Sequence, residues 1–309
     1  MEKECVHCGI CTRNCSFLQK YSIDIGDTDK LKELAYHCFL CGKCSEVCPK
    51  GIDGREKILK LRQENPAVKG FDMRLAEKRD YIFKNYRQAN KKSVLFPGCN
   101  FPSFYPQTTK VLIEVLQKQA GMGVVYDCCG KPISDIGLKE DEDRIIQAIN
   151  QRLQEAGVEK VVMLCPNCYA FLKSKLTANV ISIYEKLNEL GIGRKLEAEM
   201  QLFLPCPERE SQEMLKSMRE FLPEQVEIAK DSQCCGLGGA AGYKEPELAK
   251  QMASSMKGKE IYTYCASCAS NFAKNGCDKV HHVLVEMLDT NEKPDIAKSF
   301  VNRAKTKFL

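Results

Sequence analysis

Cysteine spacing constrains this chain more tightly than any other feature. Eight of its nineteen cysteines form two runs of the same kind, C-x2-C-x2-C-x3-C: Cys5, Cys8, Cys11, Cys15, then Cys38, Cys41, Cys44, Cys48. Ten more make two sets of five, Cys99, Cys128, Cys129, Cys165, Cys168 and Cys206, Cys234, Cys235, Cys265, Cys268. Each set contains an adjacent pair. Cys277 alone stands outside these groups and reads as a buried structural thiol.

In a secreted protein so many cysteines would suggest a disulfide scaffold. Here, however, Met1 to Cys5 run straight into the first motif with no signal segment. No apolar stretch approaches the length of a membrane span. At 309 residues and 44% hydrophobic content the chain has enough material for real cores. The expectation is a cytoplasmic protein whose thiols stay reduced and serve metal or redox chemistry.

The formal net charge is only +5, yet residues 55–92 hold 12 Lys or Arg against 5 Asp or Glu. The simplest reading is a solvated helical face. The functional reading is a docking surface for an acidic redox partner, a flavoprotein or a ferredoxin. No recognition fold or aromatic interleaving accompanies the charge, so nucleic acid is not expected.

The spacing divides the chain into residues 1–53, a basic helical linker 54–92, and two copies, 93–200 and 201–309. The linker patterns as two helices, the second carrying Phe71, Leu75, Ile82 and Tyr86 after a break from Pro66 to Gly70. Beyond it, VLFPGC ending at Cys99 matches QLFLPC ending at Cys206, VYDCCG matches DSQCCG, and VVMLCPNC matches EIYTYCASC. The offsets of 107, 106 and 100 residues indicate a duplicated domain with altered loop lengths. Each copy alternates short β-like runs with helices, the first copy placing helices from Pro106 to Gly121 and from Glu140 to Gly157. That alternation predicts two α/β domains with mostly parallel sheets, their cysteines in the loops after strand C-termini, where such sheets bind ligands.

Cubane [4Fe-4S] clusters take four thiolates each, and this spacing lets three close cysteines hold one cluster while the fourth reaches its neighbour. The two runs resemble two-cluster bacterial ferredoxins, down to Pro49 after Cys48; Ser16 stands in that place after Cys15. The resemblance implies a small, mainly helical ferredoxin-like domain with Cys5, Cys8, Cys11 and Cys48 on one cubane and Cys38, Cys41, Cys44 and Cys15 on the other. Zinc would favour separate paired C-x2-C units.

Five cysteines are one more than a cubane needs, and adjacent residues cannot readily aim both sulfurs at separate corners. The fifth thiolate must bridge, stand idle or replace inorganic sulfide. C-x28-C-C-G-x34-C-P-N-C resembles the CCG cysteine-rich domain of heterodisulfide reductase catalytic subunits and their relatives. The resemblance implies one or two noncubane [4Fe-4S] clusters that take electrons from the cubanes and reduce a disulfide or heterodisulfide-like substrate, with the first set favoured for the chemistry. It also implies an alternative, since related subunits pass electrons for a flavoprotein. The chain would then be an electron-transfer subunit of a 2-hydroxyacid or glycerol-3-phosphate dehydrogenase-type complex, without its own substrate. An anaerobic or oxygen-protected setting suits either reading.

The second copy departs from the first. Only 29 residues separate Cys235 from Cys265, against 35 between Cys129 and Cys165, and Cys206 lies in LPCPER without a neighbouring histidine. Zinc is therefore an alternative at the second set. Gly236, Gly238 and Gly239 follow cysteines rather than a strand, so they read as close backbone approach to a metal site and not as a dinucleotide fingerprint. His281 and His282 read as packing residues, with proton donation as the functional alternative.

Overall fold

The strand-like runs assemble into two sheets in this computed structural model, which describes residues 4–66, 72–197, 199–230 and 232–309. In the first, β1 (Asn85–Gln88), β2 (Ser93–Phe96), β3 (Gly123–Tyr126), β4 (Lys160–Met163) and β5 (Asn179–Ser182) lie in the order β1-β3-β2-β4-β5. In the second, β6 (Met200–Leu202), β7 (Val226–Ile228), β8 (Ile261–Thr263) and β9 (Val280–His282) lie in the order β7-β6-β8-β9. With β1 set aside the two orders coincide, which is the duplication seen in three dimensions. Every pairing is parallel except β1 with β3. Val94 pairs with Val161 and Leu95 with Val162, continuous apolar runs suited to strands covered on both faces.

The helices form where the sequence directs. Pro106–Ala120 opens on proline and ends at Gly121, which is left-handed at φ +58°. Lys139–Glu155 carries three acidic residues in its first turn and turns Ile145, Ile149 and Leu153 inward. These side chains join one core that runs through both copies, from Leu112, Ile149 and Val162 to Leu202, Met214 and Leu284. Each large apolar side chain buried there contributes roughly 1.5–3 kcal/mol.

The cysteine-rich N-terminal region winds short helices around Phe17, Leu18, Ile25, Leu31 and Leu61. Two buried polar anchors hold it to the copies. Arg62, 1% exposed, donates to the carbonyls of Ala35, Cys38 and Asp135, tying this region to the first copy. Glu245 ties it to the second, accepting from Lys20 at 2.5 Å and Tyr21 at 2.6 Å, with His37 Nδ1 at 2.6 Å. A buried charge is tolerable only when paired in this way.

The helical expectation for the linker needs correction. Gly54–Glu64 is a helix capped by the Asp53 carboxylate, and the second helix covers only Asp72–Arg79. Beyond it a turn, closed by the Lys84 N–H on the Tyr81 carbonyl, buries Tyr81 and Phe83 and exposes Ile82 before the chain enters β1. Tyr86 lies on β1, its hydroxyl donating to Asp127. Residues 67–70 of the expected break, Phe71 and the side chain of Leu75 lie outside the described residues. Several linker cations also turn inward: Arg55 donates to the Cys206 carbonyl, Lys57 to that of Ile25, and Arg62 is buried as above. No helix among the described residues is long and apolar enough to cross a membrane.

Candidate metal centres

Four of the N-terminal cysteines, Cys5, Cys8, Cys11 and Cys48, line one small pocket together with Asp24 and Pro49. Cys48 thus leaves its own run and joins the first three cysteines of the other. His7 Nδ1, 3.0 Å from Asp24, sits at the rim. Cys15 crosses in the opposite sense, towards Cys38, Cys41 and Cys44. Burial and then the neighbouring thiols of Cys41 and Cys38 push Cys15 up to about 12. Burial raises Cys38 to about 11 in spite of Arg62, and burial with the three neighbouring thiols raises Cys44 further still. Thiols packed so closely cannot ionise together unless cations compensate them, the behaviour of a thiolate ligand set. Backbone geometry fits the same role: a Cβ on Gly54 would lie 2.5 Å from Cys44 Sγ, so only glycine lets that helix start against the sulfur.

In the first copy Cys99 follows β2, Cys128 and Cys129 follow β3, and Cys165 and Cys168 open the helix Pro166–Leu172 after β4. β2 and β4 are neighbours and flank the point where the strand order reverses, the expected ligand crevice. All five thiols come together, in contact from Cys99 to Cys128, Cys129, Cys168 and Cys165. Gly98, at φ +73°, brings the backbone to within 3.0 Å of Cys168 Sγ, measured from where a Cβ would stand.

The second copy repeats this path as Cys206, Cys234, Cys235, Cys268 and Cys265. Its shorter spacing falls in the crossover helix, which has 9 residues at Pro246–Ser254 against 17 at Lys139–Glu155. The cysteine cluster itself is intact.

Cationic side chains meet both sets. Lys78 Nζ lies 3.5 Å from Cys99 Sγ; burial would push it down, but Cys99 and Cys128 outweigh that and hold it charged. Glu77 pairs with both Lys78 and Arg303 beside it. At the second set, Arg209 is held charged against its burial by Cys206 and Cys41.

Polar contacts and packing connect the centres. Cys41 packs against Cys234, with Cys206 beside them, so the second set adjoins the crossed group of Cys15, Cys38, Cys41 and Cys44. Between the two copies, Asn167 Nδ2 lies 3.6 Å from Cys265 Sγ and Asn100 Nδ2 donates to Ser267 Oγ at 2.6 Å. The second set therefore touches both the crossed N-terminal group, through Cys41, and the first copy, through Asn167 and Asn100.

Sequence reasoning missed Lys78, Arg209 and the two asparagines. Asn100, Asn167 and Arg209 carried a signal, since each lies within three residues of a cysteine of its set; Lys78 reaches its set only through the fold. His281 stacks on Tyr262 with Nδ1 2.9 Å from Glu286, while His282, 2% exposed and pushed by burial down to about 3, packs on Phe101 and Tyr105 as a neutral ring. Cys277 is buried, its thiol directed at the Ala253 carbonyl.

This combination of a crossed eight-cysteine region and two five-cysteine α/β copies defines a class of iron–sulfur electron-transfer proteins. The profile of the CCG cysteine-rich domain matches residues 93–173 and 200–273, that of the 4Fe-4S dicluster domain matches residues 2–52, and the chain belongs to the CCG family. The dicluster match supports two [4Fe-4S] clusters in the N-terminal region.

Among its relatives is one of the subunits of the fumarate reductase (CoM/CoB) from Methanothermobacter marburgensis, 23% identical, covering 96% of this chain and 72% of that protein. The glycolate oxidase iron-sulfur subunit of Escherichia coli is 20% identical over 91% of this chain and 92% of that protein. One of the subunits of the dihydromethanophenazine:CoB–CoM heterodisulfide reductase from Methanosarcina barkeri is 24% identical over 74% and 68%. The chain spans 54% and 58% of the length of two uncharacterized archaeal iron-sulfur proteins that it also matches at 26% identity. A solved structure, the Picrophilus torridus aspartate racemase, aligns over 69% of the chain with TM-score 0.32 and 11% identity, too slight a likeness to bear on the fold.

Proposed function

We propose that this chain relays single electrons from a partner protein through its N-terminal centres to the five-cysteine sets, where a disulfide or heterodisulfide-like substrate is reduced. The observation that carries this reading is the packing of Cys41 against Cys234, which makes the N-terminal region and the second set contiguous. The iron–sulfur clusters supply one-electron carriers and, at the five-cysteine sets, the place where two electrons meet one substrate. Cys5, Cys8, Cys11 and Cys48 hold one cubane and Cys15, Cys38, Cys41 and Cys44 the other. The five cysteines of each copy hold noncubane clusters; a fifth thiol in the same contact group favours iron–sulfur over a four-coordinate zinc at the second set.

Asn100 and Asn167 bridge from the second set to the first, which is the site of reaction. There Lys78 offsets thiolate charge, and Tyr81 and Phe83 pack against Cys128 to exclude water. The overall change is RSSR + 2 e⁻ + 2 H⁺ → 2 RSH, the electrons coming from a reduced flavoprotein or ferredoxin in a reducing compartment such as the cytoplasm. Anaerobically purified protein given reduced viologen should oxidise it only when a small-molecule disulfide is present. No disulfide-dependent oxidation, at full iron content, overturns this reading.

The likeness to the glycolate oxidase subunit, nearly complete over both chains, favours a second reading as an electron-transfer subunit beside a flavin dehydrogenase. That reading predicts full cluster reduction in the same assay with no turnover of any disulfide.

A further inference from the structure

Gln233 immediately precedes the second adjacent pair, where the first copy has Asp127. The two side chains behave differently. Asp127 stays within its own copy, accepting from the Cys128 N–H and the Tyr86 hydroxyl, each at 2.8 Å. Gln233 reaches out of its copy into the N-terminal region. Its Nε2 lies 3.4 Å from Cys15 Sγ and 3.4 Å from Cys41 Sγ. Its Oε1 accepts from the Ser16 N–H at 2.8 Å and from the Ser16 hydroxyl at 3.1 Å.

The amide orientation follows from chemistry. A backbone N–H can only donate, so the amide oxygen must face Ser16, and the NH₂ group is then aimed at the two sulfurs. Ser16 is itself the departure in the first run, standing where the second run has Pro49. A proline there would offer neither the N–H nor the hydroxyl. Two separate irregularities, serine for proline and glutamine for aspartate, are thus the two ends of one contact. Arg209 steadies the same segment by donating to the Gln233 carbonyl.

We propose that Gln233, held by Ser16, is a positioning residue that donates N–H···S hydrogen bonds to Cys15 and Cys41 and so raises the reduction potential of the cluster they share. This rests on the reading of Cys15, Cys38, Cys41 and Cys44 as ligands of one cubane. Reduction adds one electron, and hence one negative charge, spread over iron and ligand sulfurs. A donor aimed at those sulfurs stabilises the reduced form more than the oxidised one. In the first copy the equivalent residue is Asp127, whose carboxylate accepts hydrogen bonds and has no N–H to aim at a sulfur.

The test is a potentiometric titration of the full-length, anaerobically reconstituted protein with dithionite and mediators, followed by electron paramagnetic resonance. Gln233→Leu should shift one cubane couple downward by about tenfold in its equilibrium constant, ~59 mV for one electron, and leave the other where it was. Ser16→Pro retains the amide but removes both of its anchors, and proline is tolerated in the first turn of a helix. It should move the same couple in the same direction. Gln233→Glu keeps the side-chain length and replaces the donor with an anionic oxygen, so it should move that couple downward as well. Both couples unmoved in variants of full iron content overturns the inference while leaving the cluster reading standing. Absence of cubane signals from the wild-type protein overturns both.

Discussion

Cys41 and Cys234 pack against each other in one buried cluster, although they belong to different regions of the chain. Each alters the other's acidity: contact with Cys234 draws Cys41 down to about 5 against its burial, and Cys234, in contact with Cys206, Cys235 and Cys41, is pushed well up. The crossed N-terminal centre and the second five-cysteine set therefore share a wall. Cys234→Ala should alter the spectrum of one cubane only, the one held by Cys15, Cys38, Cys41 and Cys44. Electron paramagnetic resonance of the reduced variant checks this, and two unchanged cubane signals would count against the shared wall.

The crossing of Cys15 and Cys48 gives a sharper test by pairs. Cys5→Ala with Cys48→Ala should lose about four irons, no more than either single variant, because both residues serve one cluster. Cys5→Ala with Cys15→Ala should lose about eight, because they serve two. Iron assay of anaerobically prepared protein decides between this and the uncrossed assignment, which predicts the reverse.

Cysteine positions were the legible part of this protein because ligand spacing is a local constraint written directly in the sequence. The duplication was legible for the same reason, and the matching strand orders bear it out. The arrangement of the centres was not. Nothing local says that the second copy rather than the first abuts Cys41, since that depends on Glu245, Arg55 and Arg209 meeting partners far away in the chain. The β1 strand was misread because Ile82 and Tyr86 fit a helical period, whereas a turn holds Ile82 and pairing with β3 holds Tyr86. The basic linker was read as a surface, yet Arg62 and Lys78 owe their positions to carbonyls and thiols that only the fold brings near.

Lys78 is a case where charge, and not packing, should dominate. Lys78→Met keeps most of the aliphatic stem but leaves the Cys99 thiolate without its nearest cation. Loss of such a supporting contact typically weakens metal affinity about 10- to 100-fold. Competition with a chelator should show this at the first set while the second set is unchanged. Equal retention at both sets would mean Lys78 only fills space.

Gly54→Ala should reverse the usual sign of a glycine substitution in a helix. Alanine normally stabilises a helix by about 1 kcal/mol relative to glycine. Here the added methyl would stand 2.5 Å from Cys44 Sγ and 3.2 Å from Ile25 Cγ2. One cluster, about four irons, should be lost or bound more weakly. A variant with full iron and a higher melting temperature would show that the sulfur has room to move.

His281 supplies a pH-dependent contribution away from the metal centres. The hydrogen bond with Glu286 raises it above the ordinary value near 6.5, with Glu260 adding to the effect and burial and Lys293 opposing it. Because the folded state binds this proton more tightly than the unfolded chain, the contribution is fully present below the ordinary histidine range. It is lost as pH rises through the raised value. His281→Gln should therefore cost stability at pH 5.5 and progressively less towards pH 8.5, read as the difference in melting temperature from wild type at each pH. Both proteins must be compared at equal iron content, since cluster loss would otherwise dominate the unfolding. A difference that stays constant across that range would mean the ring contributes through its stacking on Tyr262 and not through its charge.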